Sequence, residues 1–73
     1  MTTLSTLQKM DKDSLTALAE DLHAMAIRIE AMESRLANVH HIDRRTDPWV
    51  FDSLDGARKD IERIERMARN VMQ

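Results

Sequence analysis

Three histidines and the carboxylates near them are the side chains of this sequence with the chemistry to bind a metal ion. His40 and His41 are adjacent and Asp43 follows closely, whereas His23 stands apart. Adjacent residues of a helix point about 100° apart, so His40 and His41 cannot both bind one ion from a regular helix. We therefore expect no metal site, and we interpret His41 as a solvent-facing side chain near a helix C-terminus, where an imidazolium is favoured.

Basic side chains form a second group with possible chemistry, because arginine and lysine bind phosphates. Arg44 and Arg45 are consecutive, and candidate phosphate contacts follow at Lys59, Arg63 and Arg66. Acidic residues are interleaved with these bases, the formal net charge is -2, and the isoelectric point is about 5.8. The charge pattern typical of nucleic-acid binding is therefore weak. A nucleic-acid-associated regulator remains the alternative interpretation.

Catalytic chemistry has few candidate residues. The 73 residues include no Cys, no Tyr and a single Gly, so a thiol nucleophile and a glycine-rich phosphate loop are both excluded. We therefore expect a non-enzymatic protein with no cofactor and no small-molecule substrate.

The segment Pro48 to Phe51 holds both aromatic residues, Trp49 and Phe51. Three consecutive helical residues span about 200°, so Trp49, Val50 and Phe51 cannot all face one core. Either Trp49 and Phe51 fold over the end of the molecule beneath a loop, or they bind a partner, as Trp often does. We take Trp49, Phe51, Arg44 and Arg45 as the candidate partner-binding residues.

Two apolar stripes indicate the elements that must position these residues. The first has spacings of three and four over four heptads, which is the a/d pattern of a packed helix; small residues at the e positions, Ala19 and Ala26, widen it. The second stripe, which begins at Val50, repeats the pattern. Together they predict this oligomer core: Leu15, Leu18, Leu22, Met25, Ile29, Met32, Leu36, Val39, Leu54, Ala57, Ile61, Ile64, Ala68 and Val71.

Capping residues and the single proline set the predicted bounds. Helix one is expected over about 13–44, with Asp11 or Asp13 at its start. The loop is expected over about 45–47. Helix two is expected over about 48–72, with Asp47 as N-cap and Pro48 at the first helical position. Residues 1–12 form a tail or a short extra turn, in which Leu4 and Leu7 are out of register with the later stripe. The hairpin domain is therefore 13–73.

Helix two also carries acid-before-base pairs at i, i+4: Asp55–Lys59, Glu62–Arg66 and Glu65–Arg69. Gly56 interrupts the pattern at a cost of about 1 kcal/mol relative to Ala. Either helix two begins at the cap signal of residues 52–55, or a neighbouring backbone comes close to Gly56; we favour the close approach.

These patterns predict an all-α protein, a two-helix antiparallel hairpin that pairs into a dimeric four-helix bundle, since two helices alone leave one side of each stripe wet. A trimer, a parallel coiled coil or a hairpin docked on another protein are the other assemblies. We expect the protein to act as a regulator, adaptor or inhibitor that binds another protein. Phages and other mobile elements often encode small helical proteins of this kind. A structural coiled-coil component is a further alternative. Without an apolar run of membrane-spanning length, the chain is expected to be cytoplasmic, with no membrane partner.

Overall fold

The computed structural model describes the backbone of residues 3–73 and the side chains of residues 5–73. Three helices follow in order: α1 (Thr3–Gln8), α2 (Lys12–Asn38) and α3 (Pro48–Met72). The two long helices, α2 and α3, pack against each other, which confirms the predicted all-helical architecture. Of the predicted N-terminal segment, Met1, Thr2 and the side chain of Leu4 lie outside the described residues.

The start of α2 is set by Asp11, one of the two predicted capping residues. Its carboxylate accepts a hydrogen bond of 2.7 Å from the backbone N–H of Ser14, which satisfies one of the free donors of the first turn. This backbone hydrogen bond lowers the pKa of the Asp11 carboxyl.

The end of α2 lies at Asn38, six residues before the predicted end near 44. His41 adopts the left-handed conformation, with φ of 57°, and the N–H of Ile42 then reaches back to the carbonyl of Leu36 at 2.8 Å. Helix α2 therefore ends at this left-handed turn, well before Pro48 could prevent its continuation. Asp43 organises the rest of the loop, since its carboxylate accepts from the N–H of Arg45 at 2.9 Å and its carbonyl from that of Asp47 at 2.8 Å.

Helix α3 begins at Pro48, as predicted, with Asp47 at the N-cap position but without a side-chain capping bond. The predicted close approach at Gly56 is wrong, because a Cβ built on this residue meets no atom within 4 Å. Of the predicted i, i+4 pairs, Glu65–Arg69 forms at 2.8 Å. Asp55 and Glu62 instead pair with Arg58, which lies between them on the side facing α2.

The interface between α2 and α3 uses the a and e positions of the first stripe rather than a and d. Leu15, Ala19, Leu22, Ala26, Glu33 and Leu36 are the buried residues of α2. Ala19 and Ala26 are small enough for α3 to approach closely, and this rotates the d positions Met25, Met32 and Val39 to the surface of the chain. On α3, Phe51 and Ala68 are buried, Leu54, Ile61, Ile64 and Val71 are half-buried, and Ala57 is exposed.

Helix α1 covers the free ends of the long helices. Leu7 is buried in one cluster with Leu15, Ala19 and Ala68. Half-buried apolar residues pack against this cluster: Met10, Leu18, Met67, Val71 and Met72. Within the described part of the N-terminal segment, residues 3–8 are helical, and the core cluster lies at this end of the molecule.

Candidate functional site

A cluster of charged side chains joins α2, the loop and α3 at the end opposite α1. Glu33 of α2 is only 9% exposed. Its carboxylate accepts a 2.7 Å hydrogen bond from the Arg44 guanidinium and lies 3.9 Å from Arg58. Arg44 also lies 3.5 Å from Asp55 and 4.5 Å above the Phe51 ring centroid. These contacts fasten the loop onto both long helices.

The two carboxylates of this cluster affect each other. Burial raises the pKa of Glu33, and the neighbouring Asp55 raises it further. The hydrogen bond with Glu33 lowers the pKa of Asp55. A proton shared by the pair therefore resides on Glu33, while Asp55 stays ionised beside Arg44 and Arg58.

An open groove of about 890 Å³ runs beside the cluster, between the end of α2 and the start of α3. Its walls include Asn38, His41, Asp43, Arg44 and Asp55. Arg44 pairs with Glu33 and Asp55 in this lining, whereas the Asp43 carboxylate accepts from the backbone N–H of Arg45. These contacts stabilise the loop.

The candidate partner-binding residues divide between the core and the surface. Phe51 is 2% exposed and Trp49 is 69% exposed, so the helix turns the two aromatic rings in different directions. Arg44 is held by the charged cluster, whereas the Arg45 side chain is exposed. The structure therefore brings Phe51 and Arg44 together and leaves Trp49 and Arg45 at the surface near them in sequence.

The candidate phosphate contacts lie on exposed positions of α3. Arg63 is 3.3 Å from Asp60, and within residues 5–73 neither Lys59 nor Arg66 forms an ion pair. These basic residues point away from α2, so they form part of the outer surface of the hairpin.

The second candidate site is an apolar surface along one side of the α2–α3 junction. The ion pairs His23–Glu65 at 3.5 Å and Glu30–Arg58 at 3.8 Å lie along one side of the α2–α3 junction. Helical geometry places the d positions of α2 and the second apolar stripe on the other side. We call this side the apolar face; it comprises Met25 and Met32 of α2, the C-cap residue Val39, and Val50, Leu54, Ala57, Ile61 and Ile64 of α3.

Sequence reasoning missed Glu33 and Arg58, which are central to the charged cluster. A signal was present, because Glu33 occupies the same e position of the heptad as Ala19 and Ala26, seven residues after the latter. A carboxylate in an otherwise apolar line predicts a buried group that needs a basic partner. Arg58, one residue after the second stripe's Ala57, is the matching base on α3.

Within the part of the chain that the structure describes, no three or more His, Asp or Glu side chains converge as metal ligands. None of the helices found there combines the length and apolarity that crossing a membrane requires. No protein-family model matches this chain, and comparisons with curated proteins and with solved structures find no significant match.

Proposed function

We propose that this protein is a self-associating helical hairpin that acts, without catalysis, as a regulator, adaptor or inhibitor by binding another protein. The apolar face carries this proposal. Met25 is 48% exposed, Met32 41% and Val39 54%, and these residues of α2 and its C-cap line up beside the half-buried side chains of α3. Contiguous apolar surface of this kind typically marks a protein interaction site.

The exposed area supports self-association. The chain exposes 5418 Å², whereas a compact monomer of its mass exposes about 4650 Å². The excess is close to the roughly 800 Å² that one partner buries in a standard interface. A second copy stacked on the apolar face would remove this excess and complete a four-helix bundle.

The protein partner would bind elsewhere, because the apolar face is occupied in such a dimer. Trp49 is the largest apolar side chain exposed among the described residues, and it follows the exposed Arg45 by four residues at the loop end of the hairpin. Trp and Arg are the residue types most enriched at binding hot spots. Two symmetry-related copies of this surface would give a bivalent regulator.

The test of self-association is the molar mass from sedimentation equilibrium over a range of protein and salt concentrations. We expect a dimer that persists at high salt, because burial of apolar area is little screened. Met25→Glu should give a helical monomer, since it places a charge in the interface. The matched control is Ile27→Glu, because Ile27 is also exposed but lies on the outer side of α2. A wild-type monomer at all concentrations would overturn the proposal.

The alternative function is nucleic-acid binding through the outer basic residues of α3. It is favoured by Lys59 and Arg66, which form no ion pair with an acidic side chain in the described part of the chain. Phosphate contacts predict RNA or DNA binding that weakens steeply with salt. Double replacement of Lys59 and Arg66 by Gln should abolish such binding and leave the dimer intact.

The further alternative is a structural coiled-coil component. An increase of the molar mass beyond that of a dimer as the protein concentration rises would favour it.

A further inference from the structure

We infer that the second copy on the apolar face lies in the opposite direction, with α2 against the partner's α2, α3 against the partner's α3, and a two-fold axis passing at the level of Met32 and Ala57. This inference rests on the proposed self-association and specifies its geometry. Three observations carry it: the position of α1, the spacing of the apolar side chains, and the length of the uncovered surface.

Helix α1 covers only one end of the apolar side. Leu7 packs on Leu15, Ala19 and Ala68, and Met67 and Val71 pack against that cluster. Met67 and Val71 lie toward the apolar side of α3, so α1 blocks this end against a partner. The uncovered length runs from Met25 of α2 to the C-cap residue Val39, about 21 Å at 1.5 Å per residue.

Two stacked copies must therefore avoid placing their α1 helices in the same space. If the copies ran in the same direction, α2 would face the partner's α3 and both α1 helices would meet at one end of the interface. If the copies run in opposite directions, the α1 helix of each copy lies beyond the loop end of its partner. The second arrangement therefore lets the uncovered lengths meet without bringing the two α1 helices together.

The spacing of the apolar side chains fits an axis at the centre of this length. Met25 and Val39 each lie seven residues from Met32, and Val50 and Ile64 each lie seven residues from Ala57. The Glu30–Arg58 ion pair shows that Met32 and Ala57 lie at nearly the same level of the hairpin. A two-fold axis there sets Met25 against the partner's Val39 and Val50 against the partner's Ile64.

The axis itself would fall between pairs of identical residues. Met32 would contact the partner's Met32, whose flexible side chain adapts to a symmetric contact. Ala57 would meet the partner's Ala57, and this small residue lets the two α3 helices approach closely. An isologous interface requires such self-contacts.

The arrangement also predicts an effect of charge at one edge. Arg28 and Arg35 flank the apolar side of α2, and opposite directions bring Arg28 near the partner's Arg35. Their repulsion opposes association at low salt. Arg28→Glu should therefore tighten the dimer several-fold at low salt and lose this advantage at high salt. In the same-direction arrangement Arg28 would instead lie near the partner's Asp60, and the same substitution would weaken the dimer.

Cross-linking of single-cysteine variants tests the direction, and it is clean because the native chain has no Cys. With a short bis-maleimide, Met32→Cys and Ala57→Cys should each cross-link to themselves. Met25→Cys alone should not, because its two copies lie about 21 Å apart, but a mixture of Met25→Cys with Val39→Cys should cross-link. Ile27→Cys, on the outer side of α2, controls for random collisions.

The outcomes separate this inference from the proposed function. If Met32→Cys cross-links only with Ala57→Cys, and neither cross-links to itself, the copies run in the same direction and the inference is wrong although the dimer stands. If no variant cross-links above the Ile27→Cys level while sedimentation shows a dimer, the interface lies on another surface and the inference is also wrong. A monomeric mass would overturn both.

Discussion

Arg44 and Glu33 join the loop to the α2–α3 interface through a 2.7 Å hydrogen bond. Arg44 lies after the end of α2, yet its guanidinium reaches back to a buried carboxylate on that helix and covers the ring of Phe51. The loop conformation is thus determined by a contact with the core, as well as by local turn chemistry at Asp43.

Replacement of Arg44 by Ala should destabilise the protein by about 1 to 2 kcal/mol, because Glu33 would be left without its strongest partner. Urea unfolding followed by circular dichroism at 222 nm measures the difference. Arg45→Ala is the matched control, since the Arg45 side chain is exposed, and its effect should stay within about 0.5 kcal/mol. Equal effects of the two substitutions would contradict the assigned role of Arg44.

The pH dependence of stability should follow the Glu33–Asp55 pair. Because the pKa of Glu33 is raised, its contribution to stability is present below its ordinary value of 4.5 and is lost as the pH rises through the folded value. Because the pKa of Asp55 is lowered, its contribution is present above 3.8 and is lost as the pH falls through the folded value. Stability should therefore decline from mildly acidic pH toward neutral pH.

Glu33→Gln should remove this decline, because the amide is neutral and still accepts from Arg44. Thermal unfolding between mildly acidic and neutral pH provides the measurement. Glu30→Gln, an exposed carboxylate on the same helix, is the control and should keep the wild-type profile. A Glu33→Gln profile identical to wild type would show that Glu33 carries no proton at mildly acidic pH.

Gly56→Ala should stabilise the protein by about 1 kcal/mol, the helix-propensity difference between the two residues. The added methyl group meets no atom within 4 Å. Gly56 also points away from the apolar face, so the gain should be the same for the monomeric variant Met25→Glu. A lower melting temperature for Gly56→Ala would mean that a second copy approaches this position.

His41→Gly should also stabilise the protein, by roughly 1 kcal/mol, because a residue with a Cβ is strained at a φ of 57°. His40→Gly is the matched control: His40 does not have a positive φ, and glycine there should bring no gain. Denaturant unfolding of both variants measures the difference in the free energy of unfolding. Equal effects would indicate that the end of α2 is not held in the left-handed turn.

Much of this fold follows from local patterns in the sequence, and the remainder depends on contacts between distant residues. Heptad spacing predicts both long helices, and Asp11 and Pro48 mark their starts. The end of α2 was misplaced because a left-handed His41 has no strong sequence signal, unlike Gly. The choice of the e positions for the interface depends on how closely α3 approaches Ala19 and Ala26, which a single stripe does not show. For the same reason, the Glu33–Arg44 contact emerges only in three dimensions.

The two aromatic residues should respond differently to truncation. Phe51→Ala removes a buried ring beneath Arg44 and should cost about 3 kcal/mol, near the lower end for buried aromatic residues. Trp49→Ala should leave the helical circular dichroism signal and the unfolding midpoint nearly unchanged, because the indole is 69% exposed. The Trp49→Ala variant should nevertheless lose binding to a protein partner, since exposed Trp is typical of hot spots. Loss of helicity in Trp49→Ala would instead assign Trp49 to the core, and it would move the candidate partner surface away from the loop end of the hairpin.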